Sequence, residues 1–209
     1  MDTGNDMKIT KQEENSAGKE KKQSAKMELY DWVQCIVSAL VVGILLFVFV
    51  GRVVNVRGES MYSTLKDGDK VICSKLFYSP KQGDIVVFRP ENNDVFDYSL
   101  VKRIVAVEGQ TLDIDFDSGT VYIDGEEVYE PYIFEQTYDD EDFTGPMTVP
   151  EGKLFVMGDN RNGSTDSRSD LVGFVDKRDI VGKVYWVLLP GADRSGVKDY
   201  GRIGSVYKD

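Results

Sequence analysis

Thr111-Leu-Asp-Ile-Asp-Phe116-Asp-Ser-Gly-Thr120-Val-Tyr-Ile123-Asp-Gly125 is the stretch on which the fold is decided. Leu112, Ile114 and Phe116 alternate with Asp113 and Asp115, the period of two that turns one face of a strand inward and the other to water. Asp117-Ser-Gly119 reverses the chain into a second β-branched run from Thr120 to Ile123, and Asp124-Gly125 is a strong signal for a further hairpin. Similar short runs flank this one. Asp69-Lys-Val-Ile-Cys-Ser-Lys-Leu76, Asp84-Ile-Val-Val-Phe88, Val101-Lys-Arg-Ile-Val-Ala-Val107, Lys153-Leu-Phe-Val-Met157 and Ile180-Val-Gly-Lys-Val-Tyr-Trp-Val-Leu-Leu189 all read as strands. The fold expected is mainly β, a coiled and mostly antiparallel sheet domain. Residues 126–150, with Pro131, Pro146 and Pro150 among acids and aromatics, read as an excursion from it.

Upstream the pattern changes. Trp32-Val-Gln-Cys-Ile-Val-Ser-Ala-Leu-Val-Val-Gly-Ile-Leu-Leu-Phe-Val-Phe-Val50 carries no charge, and a helix of that length approaches the roughly 30 Å of bilayer hydrocarbon. Gly51-Arg-Val-Val54 follows it instead of the small residues of a leader cleavage site, so it reads as a retained anchor. The organisation expected is therefore a disordered tail over 1–31, one transmembrane helix over 32–50, and a β-rich domain over 51–209. Lys19, Lys21, Lys22 and Lys26 before the span are balanced by Arg52, Arg57, Lys66 and Lys70 after it, so charge alone does not orient the chain.

The formal charge of −11 argues against a nucleic-acid partner, which needs a basic surface. Cys35 and Cys73 are too few for a disulfide framework. The chain contains no histidine, which excludes imidazole bases and histidine-ligated zinc. A base working near neutral pH must then be a carboxylate, a lysine or a tyrosine.

Three stretches could carry chemistry. In Gly58-Glu-Ser-Met-Tyr-Ser-Thr-Leu65, Ser60 follows a strand-like run about ten residues beyond the span; taken alone it is an ordinary turn or cap serine. In the run from Val101 to Val107, period-two alternation puts Lys102 on one face with Ile104 and Ala106. Most strand lysines are solvated, but a buried one loses basicity and, once neutral, can take a proton from a hydroxyl. In Gly158-Asp-Asn-Arg-Asn-Gly-Ser-Thr-Asp-Ser-Arg168, the density of Asp and Arg suggests charge pairing that fixes a loop able to orient a lysine.

These blocks, in this order and with Gly68-Asp69 and Gly83-Asp84-Ile-Val between them, resemble the type I signal peptidases over residues 28–190, in the compact form of Gram-positive bacteria. The resemblance implies a membrane-bound serine endopeptidase with Ser60 as nucleophile and Lys102 as general base, and with neither metal nor cofactor. Ser164 would orient the lysine amine, Asp166 and Arg168 would pair to brace the site, and Asp159 would support the same loop. The Ser60 backbone N–H would meet the oxyanion; where some relatives have a serine, this chain has Gly58 and no side-chain donor. Ser63 stands where the family usually has proline.

The family binds the leader as an extended strand, here between 53–58 and 99–102, with Val56, Met61, Leu65 and Leu100 as pocket walls near the dyad. It further implies exported preproteins with Ala-x-Ala sites as substrates, membrane lipid and, transiently, the export machinery as neighbours, a cytoplasmic N-terminus and an extracytoplasmic catalytic domain. Two other readings compete. A self-cleaving repressor-type Ser-Lys protease would be soluble and carry a DNA-binding module, which the anchor, the lack of a basic domain and the 158–168 block together oppose. A membrane-anchored binding domain, or an inactive homologue, would keep the groove without needing Ser60, Lys102 and Ser164 jointly.

Overall fold

The computed structural model describes residues 27–45, 51–90, 96, 98–193 and 196–207. They form two compact units, divided between residues 49 and 50. The first is a single helix, α1, Met27–Leu45, long and apolar enough to cross a membrane. It begins five residues before Trp32, and residues 46–50 of the expected span lie outside the described residues, as do residues 1–26 of the expected tail.

The second unit is a curled antiparallel β domain. Its strands are β1 (Arg52–Asn55), β2 (Lys70–Ser74), β3 (Ile85–Phe88), β4 (Leu100–Val107), β5 (Thr111–Asp115), β6 (Thr120–Ile123), β7 (Glu126–Glu127), β8 (Met147–Thr148), β9 (Lys153–Met157), β10 (Val175–Asp176), β11 (Ile180–Leu189) and β12 (Gly204–Ser205). One sheet runs β1-β2-β11-β3-β4-β9-β10, with β12 also on β11; the other runs β7-β6-β5-β8.

The local chemistry explains the pattern. Asp124 and Gly125 both have positive φ, 53° and 85°, the geometry of the tight turn that joins β6 to β7 with Ile123 opposite Glu126. On β5, Leu112 and Ile114 are buried while Asp113 and Asp115 are exposed, so the alternation sets which face meets the core. β3 and β4 are buried on both faces because the sheet curls around them. The long β11 serves both β2 and β3, and its register slips between Ile180 and Gly182 and again beyond Val184. Gly182 permits the close approach: a Cβ there would lie 2.8 Å from the Ser74 backbone.

The alternation read for β4 fails at one place. A register shift between Ile104 and Ala106 against β9 puts an extra residue in the strand, and Val105 and Ala106 pack in the same apolar cluster. Ala106 therefore leaves the face it was expected to share with Lys102 and Ile104.

Candidate active site

Lys102 sits on β4 opposite Val86 of β3, with Leu100 and Ile104 as its same-face neighbours along the strand. Apolar groups thus sheathe its stem, and the residue is 3 % exposed. Its amine donates to Ser164 Oγ at 2.8 Å, and Ser164 Oγ donates to Asp166 Oδ2 at 2.8 Å. Burial lowers the ammonium pKa to about 8; the charges of Asp166 and then Glu141 act in the opposite direction.

The loop that carries Ser164 leaves β9, makes a single 3-10 turn at Arg161–Gly163 and is buried although it is polar. Asp166 holds it closed, accepting from Gly158 N–H at 2.9 Å and pairing with Arg168 through Nε at 2.9 Å and Nη2 at 3.0 Å. Arg168 spends its other donors on carbonyls, those of Arg161 at 2.6 Å, Ser164 at 3.2 Å and Asp139 at 2.5 Å.

Asp159 faces away from this pair. It receives Arg103 of β4 in a two-point pair, Nε to Oδ1 at 2.8 Å and Nη2 to Oδ2 at 2.6 Å, and it accepts from Thr64 Oγ1 at 2.5 Å. The loop is thereby fastened both to the strand bearing Lys102 and to the turn bearing Ser60. Arg103 also stacks 3.8 Å above the Tyr132 ring. Arg161 makes a third pair, donating to both Glu130 oxygens at 2.7 and 2.6 Å and to Thr137 Oγ1 at 2.9 Å.

Ser60 is half-buried at the start of the turn that follows β1. Its carbonyl accepts from Asn160 N–H at 3.0 Å, and the turn closes through Tyr62 N–H to Glu59 O and Leu65 N–H to Met61 O. The Tyr62–Ser63 peptide is cis. Gly158 decides how near the two serine-bearing segments come: a Cβ there would lie 2.4 Å from Ser60 O and 2.3 Å from Ser164 Oγ. Gly58, at φ +79°, holds a conformation that side chains rarely adopt and gives its N–H to Asp67 Oδ1 at 2.7 Å. Val56, Met61 and Leu65 pack together in the core beneath the turn, while Leu100 lies in a separate cluster at 9 % exposure.

Sequence reading missed what the excursion contributes. Glu130 and Thr137 hold Arg161, Asp142 Oδ2 accepts from Ser169 Oγ at 2.9 Å, and half-buried Glu141 reaches Asp166 N–H at 3.5 Å. Burial and the Asp166 charge raise the Glu141 pKa. These contacts span 24 to 31 residues of chain, beyond the reach of any local pattern. Among the described residues no group of three or more Cys, Asp or Glu side chains is arranged to hold a metal ion.

Chemically, the arrangement supplies an amine close to neutrality, aimed by a hydroxyl that a carboxylate in turn fixes. Residues 29–189 match the family model described as signal peptidase, peptidase S26. Signal peptidase I of Bacillus licheniformis is 38 % identical over 182 residues, covering 82 % of this chain and 94 % of its own. Signal peptidase I T of Bacillus subtilis is 36 % identical over 190 residues, with 85 % and 95 % covered. A crystal structure of a signal peptidase I from Enterococcus faecalis shares 30 % identity, covers 51 % of this chain and 97 % of its own, and superposes with a TM-score of 0.40. With the matched model spanning most of its length, and relatives of this identity covered almost end to end, the chain belongs to the signal peptidase family, peptidase S26.

Proposed function

We propose that this membrane-anchored signal peptidase cuts leaders from exported preproteins with Ser60 as nucleophile and Lys102 as general base. The observation that carries the reading is the Lys102 amine: buried, hydrogen-bonded to Ser164 and lowered to about 8. Neutral Lys102 takes the Ser60 proton as Oγ attacks the scissile carbonyl, giving a tetrahedral oxyanion and a protonated lysine. The lysine gives that proton to the departing amine, so the peptide C–N bond breaks, an ester is left on Ser60 and the base is neutral again. It then deprotonates the water that hydrolyses the ester. The Ser60 backbone N–H meets the oxyanion. Ser164 directs the amine; Asp166 with Arg168, and Asp159 with Arg103, keep the loop in register.

Two strand edges support a leader bound as an extended strand. β1 ends its sheet, and β9 pairs with β4 only from Arg103 onward, leaving 100–102 without a strand partner on that edge among the described residues. Main-chain bonds to these edges grip any sequence, and the surfaces over Val56, Met61, Leu65 and Leu100 select small side chains of the Ala-x-Ala kind. The same reading makes 1–31 a cytoplasmic tail, 32–50 the anchor and 51–209 an extracytoplasmic domain working beside the export machinery. Anchor and substrate leader then share one bilayer, which raises their effective concentration.

The test is cleavage of an Ala-x-Ala preprotein by the detergent-solubilised full chain, with Ser60→Ala and Lys102→Ala alongside and mass mapping of the product N-terminus. A single cut at the leader boundary, reduced about 10⁴-fold or more in both variants, is expected. A cut that survives Lys102→Ala sinks the proposed base.

A further inference from the structure

After β11 ends at Leu189, the chain comes back to the domain as a strap over residues 196–207. β12 takes one edge of β11 at Trp186 and Val187, opposite the edge that β2 occupies at the same residues. A single 3-10 turn, Tyr200–Arg202, stands just before β12, with Asp199 accepting from Gly201 N–H at 3.0 Å. From this turn Arg202 reaches the end of the Ser60 turn. Its Nη1 donates to Asp69 Oδ1 at 2.9 Å, and its Nη2 donates to Asp69 Oδ2 at 2.6 Å and to the Thr64 carbonyl at 3.2 Å. The Asp69 side chain is fully buried and that of Arg202 is 12 % exposed. The same carboxylate accepts from Lys66 N–H at 2.8 Å and from Gly191 N–H at 2.7 Å, so it ties the Ser60 turn to the strap at more than one point. At its far end the strap is fastened again, where Tyr207 OH accepts from Ile85 N–H at 2.8 Å.

We propose that Arg202 is a positioning residue of the active site, setting where Ser60 stands before the Lys102 amine. The inference rests on the Ser60–Lys102 reading. The two members of that dyad are held by different contacts. Lys102 is aimed by Ser164 and Asp166, an arrangement in which Arg202 has no part. Ser60 rides on the turn that ends at Thr64, whose hydroxyl donates to Asp159 at 2.5 Å and whose carbonyl accepts from Arg202. Leu65 N–H closes that turn onto Met61 O at 2.8 Å, so a shift at Thr64 is passed to Ser60 while Lys102 keeps its place. A displacement of about 1 Å at a reacting group costs up to about 10²-fold in rate. A guanidinium suits the task, because its planar fork matches both carboxylate oxygens and leaves a donor for the carbonyl. The leader-binding edge at β1 is held by its own ladder with β2, from Arg52 to Asn55. The contribution of Arg202 therefore falls on kcat and spares KM.

The experiment uses the full chain in detergent with an Ala-x-Ala preprotein, and sets Arg202→Ala, Arg202→Lys and Tyr207→Phe beside the wild type. Arg202→Ala is expected to lower kcat per folded molecule about 30-fold, with KM changed by less than about twofold. Arg202→Lys keeps a charged donor for Asp69 without the fork, and is expected to regain about fivefold of that loss. Should the alanine variant fail to fold, the lysine variant carries the same split against the wild type. Tyr207→Phe loosens the strap away from the Ser60 turn by leaving Ile85 N–H without its acceptor; it is expected to melt lower while keeping kcat within about twofold. Hydrogen exchange gives a readout independent of the dyad. In Arg202→Ala or Arg202→Lys the segment 60–66 should exchange at least about threefold faster, and β4 at the wild-type rate. A kcat unchanged in the Arg202 variants overturns the proposal. So does a loss of kcat as deep in Tyr207→Phe, a loss carried by KM, or exchange quickened across the whole domain. Ser60→Ala and Lys102→Ala run in parallel: cleavage surviving in either removes the dyad reading itself, whichever way the exchange comparison falls.

Discussion

Ile85–Phe88 and the charged residues of the loop over 158–169 are both shut off from water, the first an apolar set of side chains and the second an ionic one. All four strand residues are 0 % exposed, and Asp159, Arg161, Asp166 and Arg168 lie between 0 and 2 %. The strand is held by non-directional burial, worth roughly 25 cal/mol per Å², which tolerates replacement by anything of similar volume. The loop is held by pairs with fixed partners and angles, which gain little net stability but lose much when one member goes. Regions of equal burial therefore differ in what they secure: the strand secures the fold, and the loop secures the position of one hydroxyl beside one amine.

Phe88→Ala and Arg168→Met should break the two regions at similar cost and with different consequences. Each is expected to lower unfolding free energy by about 3–5 kcal/mol. Denaturant unfolding of both in detergent, with kcat per folded molecule, separates them. Phe88→Ala keeps kcat, whereas Arg168→Met loses it because Asp166 and Ser164 lose their fixed geometry. A fall in kcat with Phe88→Ala would erase the distinction.

Lys102→Met should move stability the other way. The folded lysine titrates at about 8 and the free side chain near 10.5, so between these values the unfolded chain holds a proton that the folded one does not. Stability contributed by Lys102 therefore rises with pH through that window, and below about 8 the cost of burying the charge is felt in full, about 3 kcal/mol. The methionine variant is expected to melt higher at pH 7, and its advantage to vanish by about pH 10.5. A variant less stable than wild type at pH 7 would mean that the ammonium's partners repay its burial.

With Lys102 as the proposed base, the same titration should govern rate. Below about pH 8, kcat/KM should climb about tenfold per pH unit and then level off. Glu141→Gln removes a charge that helps to keep the proton on Lys102, so its acid limb should lie at lower pH, while Glu141→Asp stays near wild type. A uniform loss at every pH, with the limb unmoved, would assign Glu141 to bracing alone. The smallest effect belongs to the surface: Arg178, 84 % exposed in its pair with Asp176, should change stability by less than about 0.5 kcal/mol when replaced by alanine.

How far these features were legible depends on their range along the chain. The hairpin at Asp124-Gly125, the alternation of β5 and the apolar helix are local, and each could be read from a few residues. The polar loop was legible as a fixed structure, but only Asp166 and Arg168 find each other within it. Asp159 and Arg161 pair with Arg103 and Glu130, partners chosen by how the strand and the excursion come together in space. The bulge near Val105 is equally silent in sequence, because a β-branched run looks the same with or without an unpaired residue.

The three buried guanidiniums bear on how this enzyme comes into being. Arg103 and Arg161 each pair with a carboxylate far off in the chain, and Arg168, paired within its own loop, also donates to the distant Asp139 carbonyl; Arg103 and Arg161 cannot leave water before their carboxylates arrive. A half-assembled loop would strand a charge in the interior, so the loop, the excursion and the Ser60 turn have to close as one cooperative step. On the proposed dyad, Ser60 and Lys102 then come into register only as that closure is completed.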